Sequence, residues 1–228
     1  MHGQRETSLL PRITTTVVHA ALLAVGGWIC FHDGSRVVFE WLGATVPPDG
    51  NPTRHLVLFV FGVVLFIRMT FVLFVLLERR FDWSEMGGVL FALFLYQIVF
   101  ALLGSGAGEP LGALDALGIL LYLGGSAVNS GSELQRRHFK SQPENRGRLY
   151  TGGLFHYARH INYFGDSLWI TGWAIVTRSL WSIPIPIFIT GLFLFAFIPS
   201  LTRHLRDRYG SQFESWAAET KAFFPFVY

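Results

Sequence analysis

Residues 55–77 read HLVLFVFGVVLFIRMTFVLFVLL, and this stretch decides the fold. It contains 23 residues and one charged side chain, Arg68. About 20 consecutive apolar residues are enough to cross the hydrocarbon core of a bilayer as an α-helix. The stretch therefore predicts a transmembrane helix.

Further apolar stretches predict an all-α fold, an integral membrane bundle of about six transmembrane helices (six to seven). Hydrophobic residues make up 51% of the 228 positions and charged residues 14%, a balance typical of a polytopic membrane protein. The first apolar run follows Arg5 and Arg12 as in a signal peptide, but it is about 20 residues long and lacks a small-residue cleavage pattern. The expected spans are 13–32, 55–77, 87–104, 111–128, 164–181 and 183–202.

The distribution of basic residues predicts the orientation of the bundle. With the N-terminus in the cytoplasm, fourteen Lys and Arg fall in inside segments and three in outside segments. This asymmetry predicts cytoplasmic N- and C-termini in a multi-pass protein of a bacterial inner membrane or the endoplasmic reticulum. We expect one membrane domain, 1–228, in which 1–128 forms the substrate cavity and 129–228 the cofactor-binding region.

Two kinds of partner are disfavoured by composition. A net charge of +3 is too modest to suggest nucleic acid. Cys30 is the one cysteine, which excludes a disulfide framework and a cysteine-based zinc site. His156 and His160 have the spacing of a metal half-site on a helix, but a third ligand at suitable spacing is missing and Arg159 lies between them, so no metal is expected.

The segment 129–163 is predicted to be a long polar loop, and 33–54 another, exposed one. The first loop carries arginines together with amides and carboxylates, such as Asn129 and Glu133 one helical turn apart. Arginine binds phosphate in bidentate fashion, and carboxylates and amides bind hydroxyl and amide groups. The mixture favours a nucleotide-like cofactor over a simple contact with lipid headgroups.

Polar residues continue on both sides of the fifth predicted helix. Asn162 and Asp166 lie where its N–H groups favour an acid or a bound anion, although Asp166 is also an ordinary residue for a helix start. The tail 203–228 repeats basic and aromatic residues at helical spacing, including Arg206 and Tyr209. It either folds back onto 129–163 to close a pocket or lies on the membrane surface.

Three residues of the N-terminal half are candidates for catalysis. Arg68 lies deep in a predicted span, where a charge is costly and should face a partner or a wet cavity unless it snorkels. Tyr96 offers a phenolic proton or serves only in packing. Glu85 is an alternative acid or a residue that starts a helix.

The C-terminal hundred residues resemble a known membrane superfamily. The segment GGLFHYARHINYFGD resembles the motif G-L-x-x-Y-x-R-H-P-N-Y-x-G-E of steroid 5-alpha-reductase C-terminal domains. Asn129 with Glu133 is similar to their Asn-x-x-x-Asp, and the ending KAFFPF to their K-A-x-x-P-F. Ile161 stands where the motif has proline, and the second helix lacks the Gln-Glu pair of the steroid reductases. The resemblance is to the DUF1295 type within a superfamily that also holds sterol reductases and isoprenylcysteine carboxyl methyltransferases.

The resemblance implies an NADPH-dependent membrane reductase that acts on a carbon–carbon double bond of a steroid-like or other lipid. Tyr96 is then the expected proton donor, with Glu85 as the alternative and Arg68 in a supporting role. The expected cofactor-binding residues are Asn129, Glu133, Arg136, Arg137, Arg146, Arg148, Tyr150, Arg159, His160, Asn162, Tyr163, Asp166, Arg206 and Tyr209.

Two alternatives stay open. Members of the methyltransferase branch bind S-adenosylmethionine in the same place, so methyl transfer to an isoprenylcysteine- or phospholipid-type acceptor is the first. A non-catalytic membrane protein that binds lipid is the second.

Overall fold

The computed structural model describes residues 8–227, and this range is helical without strands. Short π-helical turns, such as Leu95–Val99, continue three of the helices. The helices in chain order are α1 (Leu9–Phe31), α2 (Gly34–Trp41), α3 (Pro52–Phe71), α4 (Trp83–Phe94), α5 (Phe100–Gly104), α6 (Ala113–Ser141), α7 (Ile161–Val176), α8 (Pro184–Leu192), α9 (Ile198–Tyr209) and α10 (Ser211–Glu219).

Among residues 8–227, five helical stretches are long and apolar enough to cross a membrane, which confirms the predicted polytopic helical fold. The helix α7, where the sequence predicts the fifth span, contains 16 residues. The five stretches are Leu9–Phe31, Pro52–Leu76, Trp83–Gly104, Ala113–Ser141 and Leu180–Tyr209.

Two predicted loops are partly helical. The helix α6 continues to Ser141, so the first third of the expected loop 129–163 is helix. Its apolar and small residues recur three or four positions apart, and Ser132 is fully buried. The segment 33–54 contains α2 and the first turn of α3. Both segments were predicted to be loops because they are polar. A helix outside the bilayer, however, needs only one apolar face, which packs against the rest of the protein.

The described residues form two compact units, and the first comprises 8–119 with Trp173–Ile183. Its core contains an aromatic cluster in which Phe61, Tyr96 and Phe100 all lie about 6 Å from the ring of Trp173. Arg54, expected in an exposed loop, is fully buried and paired with Asp115. Its guanidinium also donates to the carbonyl oxygens of Val176 and Glu109, both at 3.0 Å. Val176, Glu109 and Asp115 lie in different segments, so Arg54 joins these segments at one end of the unit.

The second unit comprises Leu120–Gly172 with 184–227 and contains most of the predicted cofactor residues. Its apolar core joins the segment before α7 to the final helix. Phe155 and Phe213 are almost completely buried there, and each such side chain stabilises the fold by about 1.5–3 kcal/mol.

Candidate functional site

Two glycines bring α6 and α7 into close contact. A Cβ added to Gly125 would lie 2.5 Å from the carbonyl oxygen of Gly165, and one added to Gly165 would lie 2.7 Å from the backbone nitrogen of Asn129. Any larger residue would therefore hold the two backbones apart. The contact places the polar C-terminal half of α6 beside the first turn of α7.

Hydrogen bonds link four of the predicted cofactor residues across this contact. The Asn129 amide donates to the backbone oxygen of Asn162 at 3.2 Å, and the Asn162 amide donates to Glu133 Oε1 at 3.0 Å. The other oxygen of Glu133 pairs with Arg136. The pair Asn129 and Glu133 recognised in the sequence therefore meets Asn162, the first residue of the second Asn/acid pair. Asp166, one turn further, accepts a hydrogen bond from Trp169 Nε1 at 2.7 Å.

The C-terminal tail folds back onto this region, as one of the two sequence interpretations expected. Gly210 separates α9 from α10 with φ +50°, a conformation that side chains other than glycine rarely adopt. The turn allows Phe213 and Trp216 to pack against Phe155. The side chain of Gln212 also accepts the N–H of Leu149 at 3.0 Å.

Residues 220–224 form a strap across the start of α7. The N–H groups of Arg159 and His160 donate to the carbonyl oxygens of Lys221 and Ala222 at 2.8 and 3.0 Å. The Arg159 guanidinium Nη1 donates to the Ala217 carbonyl at 3.0 Å and to that of Thr220. Arg159 therefore holds the tail in place, whatever else it binds.

His160 is a buried, neutral residue at the base of α7. It is 1% exposed, and its Nε2 lies 3.3 Å from the Thr202 hydroxyl. Burial, with smaller contributions from Arg159 and Arg136, lowers its pKa to about 4. At neutral pH its imidazole is uncharged, so it does not add to the positive charge of the region.

A cavity of about 280 Å³ opens between these elements. Four cationic side chains contribute to its wall, and no Asp or Glu among residues 8–227 does. Aromatic and aliphatic residues, including Phe155 and Trp216, form the rest. The cations are Arg136, Lys140, Arg159 and Arg208. A concave apolar pocket with convergent positive groups is suited to an anionic ligand that also carries a flat ring or a sugar.

Five of the predicted cofactor residues line this cavity, namely Arg136, Tyr150, Arg159, Asn162 and Tyr209. Asn129 and Glu133 contact it through their hydrogen bonds to Asn162. The remaining predicted residues lie in the same unit outside the cavity wall. They are Arg137, Arg146, Arg148, His160, Tyr163, Asp166 and Arg206.

Eight residues of the cavity wall were not predicted as site residues, and four of these have polar side-chain atoms, namely Lys140, His204, Arg208 and Trp216. Lys140 Nζ donates to the hydroxyl of Tyr209 at 2.9 Å and to the carbonyl oxygen of Arg148. For His204 and Arg208, the signal in the sequence was their position on one face of a helix. His204 and Arg208 lie one turn apart on the face of α9 that carries Leu201, whereas Arg206 faces α10 and pairs with Glu214.

The three candidates for catalysis lie in the first unit. Tyr96 is 6% exposed and stacks on Trp173 with ring centroids 6.4 Å apart. It belongs to the π-helical turn Leu95–Val99, and such turns are frequent at functional sites. Arg68 is half-buried in the last turn of α3. Glu85 is in the first turn of α4, where it forms an ion pair with Arg79.

Curated proteins of two chemistries are similar to this chain. A probable O-methyltransferase of Ustilaginoidea virens is 30% identical over 118 residues, which are 51% of this chain and 42% of that protein. The human 3-oxo-5-alpha-steroid 4-dehydrogenase 2 is 29% identical over 113 residues, 50% of this chain and 42% of that protein. The Delta(14)-sterol reductase of Schizosaccharomyces pombe is 32% identical over 136 residues, 52% of this chain and 32% of that protein. The chain thus spans less than half the length of these relatives.

The family match covers a larger share of the chain than any of these matches, more than half of it. Residues 87–220 match the family described as "Protein of unknown function (DUF1295)". This range includes Tyr96 together with the whole cavity wall and ends at the start of the strap. The chain therefore belongs to the DUF1295 family.

Proposed function

We propose that this protein is a membrane reductase that uses NADPH to reduce a carbon–carbon double bond of a steroid-like or other lipid. The observation that carries the proposal is the cavity wall with four cations and no carboxylate among the described residues. Two of the three relatives compared above are, by name, a steroid 4-dehydrogenase and a sterol reductase, and both names denote oxidoreductases.

The residues of the second unit are suited to a phosphorylated dinucleotide. Lys140 and Arg208 would bind phosphate oxygens, and Asn162, which Glu133 holds in place, would bind ribose hydroxyls or the nicotinamide amide. Tyr150 and Trp216 would cover flat ring surfaces. When bound, NADPH supplies the hydride. A volume of 280 Å³ is just below the usual range of about 300–1,000 Å³ for ligand pockets, so this cavity would hold one part of the dinucleotide.

Hydride would add to one carbon of the double bond, and Tyr96 is the proposed proton donor to the carbanion that forms at the other carbon. Its burial within an aromatic cluster keeps the phenol away from bulk water, and a phenol can act as a general acid. Glu85 is the weaker candidate because it is ion-paired to Arg79 and a third of its side chain is exposed. Tyr96→Phe would lower the reduction rate by about 10²–10⁴-fold without weakening NADPH binding.

Methyl transfer from S-adenosylmethionine is the second candidate function, because the O-methyltransferase matches the same half of the chain. S-adenosylmethionine carries a sulfonium cation and no phosphate. A cavity wall with four cations repels a sulfonium and attracts phosphate, so the charge distribution favours NADPH.

Binding of the two cofactors to matched variants tests this choice. Arg208→Gln removes a cation from the cavity wall, whereas Arg206→Gln, two residues away, removes one that faces Glu214. Loss of a hydrogen bond to a charged group costs about 1.5–3 kcal/mol, so Arg208→Gln should weaken NADPH binding at least tenfold. Arg206→Gln should leave it within about threefold of the wild type.

The results separate the three functions. Calorimetric binding of NADPH with the expected difference between the variants supports a reductase. Binding of S-adenosylmethionine alone would support the methyltransferase. Binding of neither, with lipid still retained, would support the non-catalytic alternative.

A further inference from the structure

A polar niche lies inside the membrane-spanning part of the first unit. It consists of His19, Gly26, Gly62 and Gln97, and we call it the Gln97 niche. His19 and Gln97 are 1% and 3% exposed and lie in the interior of the spans Leu9–Phe31 and Trp83–Gly104. Polar side chains at such depth are costly, and they commonly mark a functional site.

The hydrogen bonds of the niche fix which atoms donate. Gln97 Nε2 lies 3.1 Å from the backbone oxygen of Gly62 and 3.0 Å from His19 Nε2. If the amide were turned over, Gln97 Oε1 would face the Gly62 oxygen, and two acceptors repel each other. The amide nitrogen therefore donates both of its protons, and His19 accepts one of them through Nε2 as a neutral imidazole.

The backbone is shaped around Gln97. A Cβ on Gly26 would lie 2.8 Å from the Gln97 carbonyl oxygen, and a Cβ on Gly62 would collide with Gln97 Oε1. Gln97 also belongs to the π-helical turn Leu95–Val99. Two glycines from different helices and an irregular turn thus make room for one amide side chain.

The side-chain oxygen of Gln97, Oε1, is a hydrogen-bond acceptor that the bonds to His19 and Gly62 do not use. Within the part of the chain that the structure describes, no group donates to Gln97 Oε1. Gln97 lines a small cavity of about 10 Å³ together with Gly26, Cys30 and Trp173. About 10–15 Å³ is the space that one water-sized group needs. The cavity therefore has room for a single oxygen atom beside an acceptor.

We propose that the Gln97 niche is a binding site for one hydroxyl group inside the membrane bundle. The hydroxyl donates to Gln97 Oε1 and belongs either to a lipid alcohol or to a buried water molecule. A ketone or an ether oxygen at the same place gains no hydrogen bond from Gln97, because both protons of its amide are donated to His19 and Gly62. The proposal concerns the first unit alone and does not depend on NADPH.

Sterol analogues that differ at one oxygen test the lipid source. Cholestanol, cholestanone and cholestanol methyl ether carry an alcohol, a ketone and an ether at the same carbon. With wild-type protein in nanodiscs, the alcohol should bind about two- to twelvefold more tightly than the other two, since one hydrogen bond contributes about 0.5–1.5 kcal/mol. The comparison needs no variant and is therefore independent of folding defects.

Variants and an experimental structure complete the test. Gln97→Met keeps the length of the side chain without its amide, so it should abolish the preference for the alcohol, whereas Gln142→Met at the end of α6 should retain it. Equal binding of the three sterols, with an ordered oxygen within about 3.2 Å of Gln97 Oε1 at high resolution, identifies water as the source. Equal binding without such an oxygen overturns the proposal.

Discussion

Gly165→Ala should separate α6 from α7 and break the hydrogen bond between Asn129 and Asn162. The new Cβ would lie 2.7 Å from the Asn129 backbone nitrogen, whereas ordinary van der Waals contact begins at 3.4 Å. Both atoms belong to helical backbones, so relief requires the helices to part by about 0.7 Å. The Asn129–Asn162 distance, now 3.2 Å, would then increase to about 3.9 Å, which is too long for a hydrogen bond.

Gly124→Ala is the matched control, because nothing lies within 4 Å of its added Cβ. Alanine favours a helix over glycine by about 1 kcal/mol, so the control should be as stable as the wild type or more stable. Overpacking costs about 1–3 kcal/mol, and Gly165→Ala should unfold at a temperature several degrees below the control.

Thermal unfolding in detergent, followed by circular dichroism, measures this difference. The stabilisation by added NADPH should also decrease in Gly165→Ala and persist in Gly124→Ala, since Asn162 lines the cavity. Equal melting temperatures for the two variants would show that the close approach of the helices does not control the site.

Three further predictions concern burial and charge. Arg54→Met should lower the free energy of unfolding by about 3–5 kcal/mol by leaving Asp115 buried without its partner, and Arg54→Met/Asp115→Leu should recover most of it in a denaturant titration. The pKa of His160 is about 4 when folded and 6.5 when unfolded, so the unfolded chain binds the proton first as the pH falls. The free energy of unfolding should therefore fall by up to about 3 kcal/mol between pH 6.5 and pH 4. His160→Asn should lack this decline. Phe223→Ala should cost about 3–5 kcal/mol and loosen the strap, whereas Phe226→Ala, at a residue 78% exposed, should cost little in the same melting assay.

The membrane fold could be predicted from the sequence because hydrophobic length is a local property. Each span appears as an apolar stretch of known minimum length. Local polarity was misleading where a helix continues into water, as in α6 beyond Asn129, and where a charge has a distant partner. Arg54 looked like a loop residue because its partner Asp115 is 61 positions away.

The candidate site was only partly accessible to sequence reasoning, for a similar reason. Motif spacing identified Asn162 and Glu133, which the structure joins by a hydrogen bond. It did not distinguish Arg206 from Arg208, because the choice depends on which face of α9 packs against α10. Trp216 was overlooked because its role depends on the turn at Gly210, which folds α10 back onto the segment before α7.

The strap at residues 220–224 joins two segments that are far apart in the chain. The N–H groups of Arg159 and His160 bond to carbonyl oxygens about sixty residues further along the chain. A nascent chain that ends before residue 213 can form every membrane span, yet it lacks Phe213, Trp216 and the strap. A protein shortened by premature termination before residue 213 would therefore keep its candidate membrane spans but lack Trp216 of the candidate cavity wall.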